Sequence, residues 1–181
     1  ALFTIPFLLL IHNDPLFFLP IISLHLLFFA SITFLQSHYQ NHHGIDSSQL
    51  NPPRVSWSFV RFALLIMLAP KITGVIGLIV LPANIMNSII FLMIAGYSIT
   101  YITGRPLQSN SRTLDIVFLI IGAYVSGTSL LGGPLIIAVA LRHIEISAFR
   151  HTLFVLWSVL VSIKLAAFVW AGVSLNLLVA L

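Results

Sequence analysis

Gly122-Ala-Tyr-Val-Ser-Gly-Thr-Ser-Leu-Leu-Gly-Gly-Pro-Leu-Ile-Ile137 is the stretch on which the fold turns. Four glycines, three hydroxyl residues and a proline fall within 13 residues, in the middle of an apolar run that covers 113–141. As one straight helix those 29 residues would be about 43 Å long at 1.5 Å per residue, against a hydrocarbon core of about 30 Å. The run therefore either tilts strongly or breaks near Gly132-Gly133. Proline suits the first turn of a new helix, where its missing N–H is no loss. The two glycines before it allow unusual backbone angles and the close approach of a ligand. A break of this kind is tolerated in a bilayer only where the freed backbone is buried in protein or faces water.

The rest of the chain is as apolar as this run. Of 181 residues 59% are hydrophobic and 7% charged, with eight Lys or Arg against four acids and no cysteine. A soluble domain carries about 25% charged residues, so a soluble globular domain, a disordered segment and a disulfide-stapled module are all excluded. The absence of cysteine removes Cys-ligated zinc, iron–sulfur clusters and thiol catalysis. The four surplus cations are spread along the chain and form no nucleic-acid patch. The fold class expected is all-α, a polytopic transmembrane helical bundle with a broken helix near Gly132-Pro134.

Further apolar runs cover 1–11, 16–36, 59–82, 85–103 and 147–172, with a partial run after Gly172-Val-Ser174. Polar stretches at 36–53 and 104–112 and a turn at Pro82-Ala83-Asn84 separate them. If each run crosses once, Arg54, Arg61, Arg105 and Arg112 share one side, and Arg142 and Arg150 the other. The more cationic side is then cytoplasmic. The chain begins and ends inside apolar runs, which reads as the middle of a longer protein. A faint repeat sets Pro6-Phe-Leu-Leu-Leu-Ile11 against Pro134-Leu-Ile-Ile-Ala-Val139 at an offset of 128 residues. On that basis 1–103 is a first half, 104–112 a loop and 113–181 a second half. With single crossings the two halves would share an orientation. Internal duplication is a common transporter architecture, with the site where the halves meet.

The residues that could carry chemistry gather on the same stretch. A helix beginning at Pro134 would present free N–H groups and the positive end of its dipole. With Ser126, Thr128, Ser129, Gly132 and Gly133 it forms a candidate site for a small anion. The competing reading is packing alone, since Gly and Ser at span interfaces let backbones approach and hydroxyls bond back to their own carbonyls. Arg150, Trp157 and Lys164 recur every seven residues and share a helix face, Trp157 reading as a packing residue. Lys164 lies deep in its run, and an ionisable group at depth is a functional candidate. Lys71 poses the same question beside Pro70. Asp14, Asp46, Asp115 and Glu145 all fall in or near loops, so cations at depth lack acid partners and suit an anionic ligand. The alternatives are that Lys164 snorkels and that Arg150 and Lys71 lie near an interface. His38, His42 and His43 invite a metal reading as in a membrane metalloenzyme, but HExxH is absent and no metal or cofactor is expected. No Ser/His/Asp arrangement or phosphate loop stands out.

The stretch from Gly122 through Gly132-Gly133-Pro134, followed by Ile146-Ser-Ala-Phe-Arg-His-Thr-Leu153, resembles the second signature of the TauE/SafE sulfite exporter family. Arg150 and Thr152 fall on that family's Arg and Thr, with His151 where a small residue is usual. Pro6, Ser23, His38, Gly44-Ile-Asp46 and Gly74-x2-Gly77 match its N-terminal repeat more loosely, and Pro20-Ile-Ile stands where Ala-Thr type residues belong. The resemblance implies a permease of two related halves, not an enzyme, moving sulfite, sulfonates or related sulfur or organic anions by alternating access. It implies Ser126, Gly132, Gly133, Pro134 and Arg150 as substrate-binding positions; Thr128, Ser129 and Lys164 join them on the arguments above. The partners expected are a small anionic substrate and the lipid bilayer, with no nucleic acid, in a multi-pass protein of the cell membrane. A non-transporting membrane subunit is the other alternative to the metalloenzyme.

Overall fold

The computed structural model describes residues 4–11, 14–42, 55–104 and 107–173. Among them are seven helices and no strand: α1 (Thr4–Ile11), α2 (Pro15–His42), α3 (Trp57–Val80), α4 (Ala83–Ile102), α5 (Arg112–Ser129), α6 (Gly133–His143) and α7 (Ile146–Trp170). Four of these, α2, α3, α4 and α7, are long and apolar enough to cross a membrane. The all-helical class and the membrane setting follow. The apolar runs become helices because a helix satisfies its backbone groups within the segment, where no water is at hand to do so. α2 continues past the end of its apolar run, through the polar residues to His42. Pro20 and Pro70 sit inside α2 and α3. Ser111 starts α5, its side chain accepting a bond from the N–H of Leu114 at 3.2 Å, the usual service of an N-cap hydroxyl.

The run 113–141 is not one crossing. α5 stops at Ser129, Leu130 takes the left-handed conformation with φ 62°, and α6 starts at Gly133. α6 then runs back along α5. Asp115, in the first turn of α5, bonds Arg142 and His143 at the end of α6. Midway along α5, Gly122 lies against Leu135 and Ile136 of α6. Only a small residue permits this contact, because a Cβ on Gly132 would strike the carbonyl oxygen of Gly122.

The core has two storeys. One collects Phe18 and Leu19 from the start of α2, Val75 and Leu78 from the end of α3, Met86 and Ile90 from the start of α4, and Val161, Leu165 and Phe168 from the end of α7. The other collects Phe59, Ala63 and Met67 from the start of α3, Leu119 and Ala123 from α5, Ile136, Val139 and Ala140 from α6, Ile144 just after it, and Ala148, Leu153, Leu156 and Leu160 from α7. The starts of α3 and α7 are also tied directly, the Ser56 N–H donating to Thr152 Oγ1 at 2.9 Å.

Two corrections to the single-crossing count follow. The segments 107–112 and 142–150 lie at the same end of the bundle, because α5 leaves that end and α6 returns to it. The start of α2 packs on the end of α7, so these two helices run in opposite directions. Equal orientation of the two proposed halves is therefore lost.

Candidate functional site

The C-terminal turn of α5 leaves carbonyl groups that a helix cannot satisfy internally. Two lysines donate into this turn, Lys164 to such a carbonyl at Thr128 and Lys71 to Ser126, whose carbonyl already has its helical partner. Leu130 N–H bonds the Ser126 carbonyl at 3.3 Å. Lys71 Nζ donates to the same carbonyl at 2.9 Å and to Ser126 Oγ at 2.8 Å. Lys164 Nζ donates to the Thr128 carbonyl at 3.2 Å and stands 5.5 Å from the centre of the Phe168 ring. Both lysines are 0% exposed. Neither forms an ion pair with an acid among the described residues, whose only ion-paired acid is Asp115.

α3 reaches this turn because the helices touch through glycine. A Cβ on Gly127 would lie 2.6 Å from the Lys71 carbonyl oxygen and 3.0 Å from Gly74 Cα, and one on Gly74 would strike the Tyr124 carbonyl. The close crossing lets the Lys71 side chain reach Ser126.

Ser126 also connects the lysine to α6, since a Cβ on Gly132 would come within 2.8 Å of Ser126 Cβ. Gly132 is buried and caps α6 without a side-chain bond; Pro134 occupies its first turn. Gly133 and Pro134 are half-buried and open on a cavity of about 610 Å³ between α2, α4, α6 and α7. Its walls are mostly apolar, formed by residues such as Phe29, Leu130, Ile137, Phe154 and Trp157. Ser126, Thr100 and Ser158 supply hydroxyls. Gly122 lies beside Gly132, so α6 begins about 15 Å along α5 from Arg112 at 1.5 Å per residue, roughly halfway through a bilayer core.

Seven of the eight sequence candidates separate into three groups, and the eighth, Lys164, bonds the last turn of α5. Ser126, Gly132, Gly133 and Pro134 come together at the start of α6. The Thr128 and Ser129 side chains are buried and bond back to the Val125 carbonyl at 2.9 and 3.1 Å, as expected of packing hydroxyls; Thr128 joins the cluster through its carbonyl to Lys164. Arg150 stands apart, exposed near the start of α7 with its guanidinium 5.6 Å from the Phe154 ring centre. Trp157 packs on the core and lines the cavity. Lys71, a candidate from depth alone, turns out to hold Ser126. Thr100 and Ser158 went unnoticed because single hydroxyls in a span carry no pattern.

Asp115 lies near a loop as expected, in the first turn of α5, but it is fully buried. Arg142 Nη1 at 2.9 Å, His143 Nε2 at 2.8 Å and the Ser109 hydroxyl bond it. It lies outside the four candidate spans. Burial opposes its ionisation, but the bonds from Ser109 and His143 and the charges of His143 and Arg142 outweigh that, leaving its pKa below the ordinary carboxylate value. Among the described residues no group of three or more His, Cys, Asp or Glu could hold a metal. His43, Asp46, Arg54 and Arg105 lie outside the described residues, and His38 and His42 fall in the last turns of α2.

Comparison with family models, with curated proteins and with solved structures finds no match.

Proposed function

We propose that the chain is a membrane permease, not an enzyme, which moves small anions by alternating access. One observation carries the reading: two fully buried lysines, with no carboxylate partner among the described residues, converge on the turn that leads into α6. Burying one charge without a counter-ion is costly, and the negative pole of α5 offsets it only by about half a charge. An anion at the start of α6 would supply the remainder, with the α6 N–H groups turned toward it. Transporters commonly place such half-helix starts near mid-bilayer, and a start about 15 Å along α5 from Arg112 fits that depth.

The TauE/SafE-like pattern over 122–153 supports the same reading. So does the pairing of short α1 with α2 and short α6 with α7, a helix pair repeated in opposite orientation, as in inverted repeats. In this reading α5, the turn and α6 form a broken, re-entrant element, and the substrates are sulfite, sulfonates or related organic anions in the cell membrane. The apolar cavity walls favour an anion that carries an apolar group. Arg150, exposed at the bundle end, would draw anions toward the protein and not hold them at α6.

The test is flux of labelled sulfite and of an alkanesulfonate into proteoliposomes. Gly133→Leu is the informative variant, because nothing lies within 4 Å of a Cβ at this position. The variant should fold, yet crowd the start of α6. The expected result is flux well above protein-free vesicles, reduced at least tenfold in Gly133→Leu and in Lys71→Gln. Wild-type flux in both variants would remove the site, and no flux of any anion by wild type would remove the permease.

A further inference from the structure

The fold gathers cations that the linear sequence distributes. Arg61 in the second turn of α3, Arg112 at the start of α5, Arg142 at the end of α6 and Arg150 in the second turn of α7 are all exposed. The antiparallel α5–α6 pairing and the Ser56–Thr152 bond put them at one end of the bundle. The acids described at that end are Asp115, consumed by Arg142 and His143, and Glu145. The residues described at the opposite end, Asp14, 81–83 and 171–173, include no Lys or Arg.

The distribution among described residues is thus four arginines to none, where a count of single crossings divides them between the sides. We propose that the arginine-bearing end is the cytoplasmic face and that Arg61, Arg112 and Arg150 rest on anionic lipid headgroups of that leaflet. Excess Lys and Arg in short segments near span ends sets orientation toward the cytoplasm, and exposed cations beside the bilayer are drawn to its anionic lipids. Arg142, held by Asp115, is the member of the group whose charge is already met. The assignment is independent of what the protein transports. It places the tip of the α5–α6 hairpin toward the non-cytoplasmic side.

The chain has no cysteine, so a single introduced thiol reports its own side without background. Ser147→Cys, exposed in the first turn of α7, and Asn84→Cys, exposed in the first turn of α4, mark the two ends. With a membrane-impermeant maleimide, Asn84→Cys should label on intact cells and Ser147→Cys only after permeabilisation. The reverse pattern overturns the orientation. For the lipid contact, the unfolding temperature is measured in phosphatidylcholine vesicles with and without phosphatidylglycerol. Wild type should gain a few degrees from the anionic lipid, and the triple variant Arg61→Gln, Arg112→Gln, Arg150→Gln should gain none. An equal gain in both overturns the headgroup assignment.

Discussion

Glycine and lysine have opposite roles in the middle of the bundle, and each can be tested by substitution. Gly74 and Gly127 make α3 and α5 touch backbone to backbone, and overpacking at such a contact costs about 1–3 kcal/mol. Gly127→Ala should therefore lower the unfolding temperature in detergent, and it should also withdraw Lys71 from Ser126, because α3 must move away. Gly96→Ala is the control: nothing lies within 4 Å of a Cβ there, so the change should be neutral or stabilise by up to about 1 kcal/mol, as alanine does for glycine in a helix. If both variants melt alike, the glycine crossing does not hold the helices together. Leu130 is the complementary case. Its φ of 62° is a conformation that helix ends usually assign to glycine. It keeps a strained backbone while packing on the core and lining the cavity.

The α5–α6 hairpin is closed at one end by the turn and at the other by Asp115. Three donors converge on this carboxyl, and Asp115→Ala would leave Arg142, His143 and Ser109 without their acceptor. The two basic partners are more than a third exposed, so water recovers part of the loss, and a cost of about 1–3 kcal/mol is expected. The pH dependence follows from the lowered pKa. The carboxyl's contribution is complete above its unfolded value of about 3.9 and disappears as the pH falls through the lower folded value. Wild type should lose unfolding temperature over that acidic range, and Asp115→Ala should not share the loss. Parallel acid profiles would show that the cluster holds nothing. This element also marks how far the sequence could be read. The helices were legible from uninterrupted apolar runs, and the start of a separate helix at Gly133 from Gly132-Gly133-Pro134, because those residues disfavour continuation of α5. The return path was not legible. Nothing in the spacing shows that Asp115 meets residues 27 and 28 positions later, and both a tilted and a reversed run satisfy the same composition. The cluster at Ser126 and Gly132–Pro134 was readable for the same reason as that helix start. Lys71's attachment to Ser126 depends on the α3–α5 glycine contact, which joins segments 55 residues apart.

At the scale of the whole molecule, the depth of the bundle in a bilayer is written in its three tryptophans. Trp57 opens α3 at the arginine-bearing end and is 58% exposed; Trp170 closes α7 at the other end and is 89% exposed. Amphipathic indoles favour the two interfaces of a membrane. α3 spans 24 residues, about 36 Å at 1.5 Å per residue, enough to cover a core of about 30 Å with one turn to spare. Trp157, by contrast, lies about 16 Å along α7 from Ile146 and lines the cavity, near mid-depth. Single-tryptophan variants in vesicles of lipids brominated at shallow or deep acyl positions separate these placements. Trp57 and Trp170 should be quenched most by shallow bromines, and Trp157 most by deep ones. That ordering follows only if α3 and α7 cross in full, because a bundle lying flat would bring all three indoles to one depth. Deep quenching at Trp170 would mean that α7 ends inside the core. Lys164, six residues or about 9 Å before Trp170, would then be drawn toward the arginine-bearing end, away from the far interface.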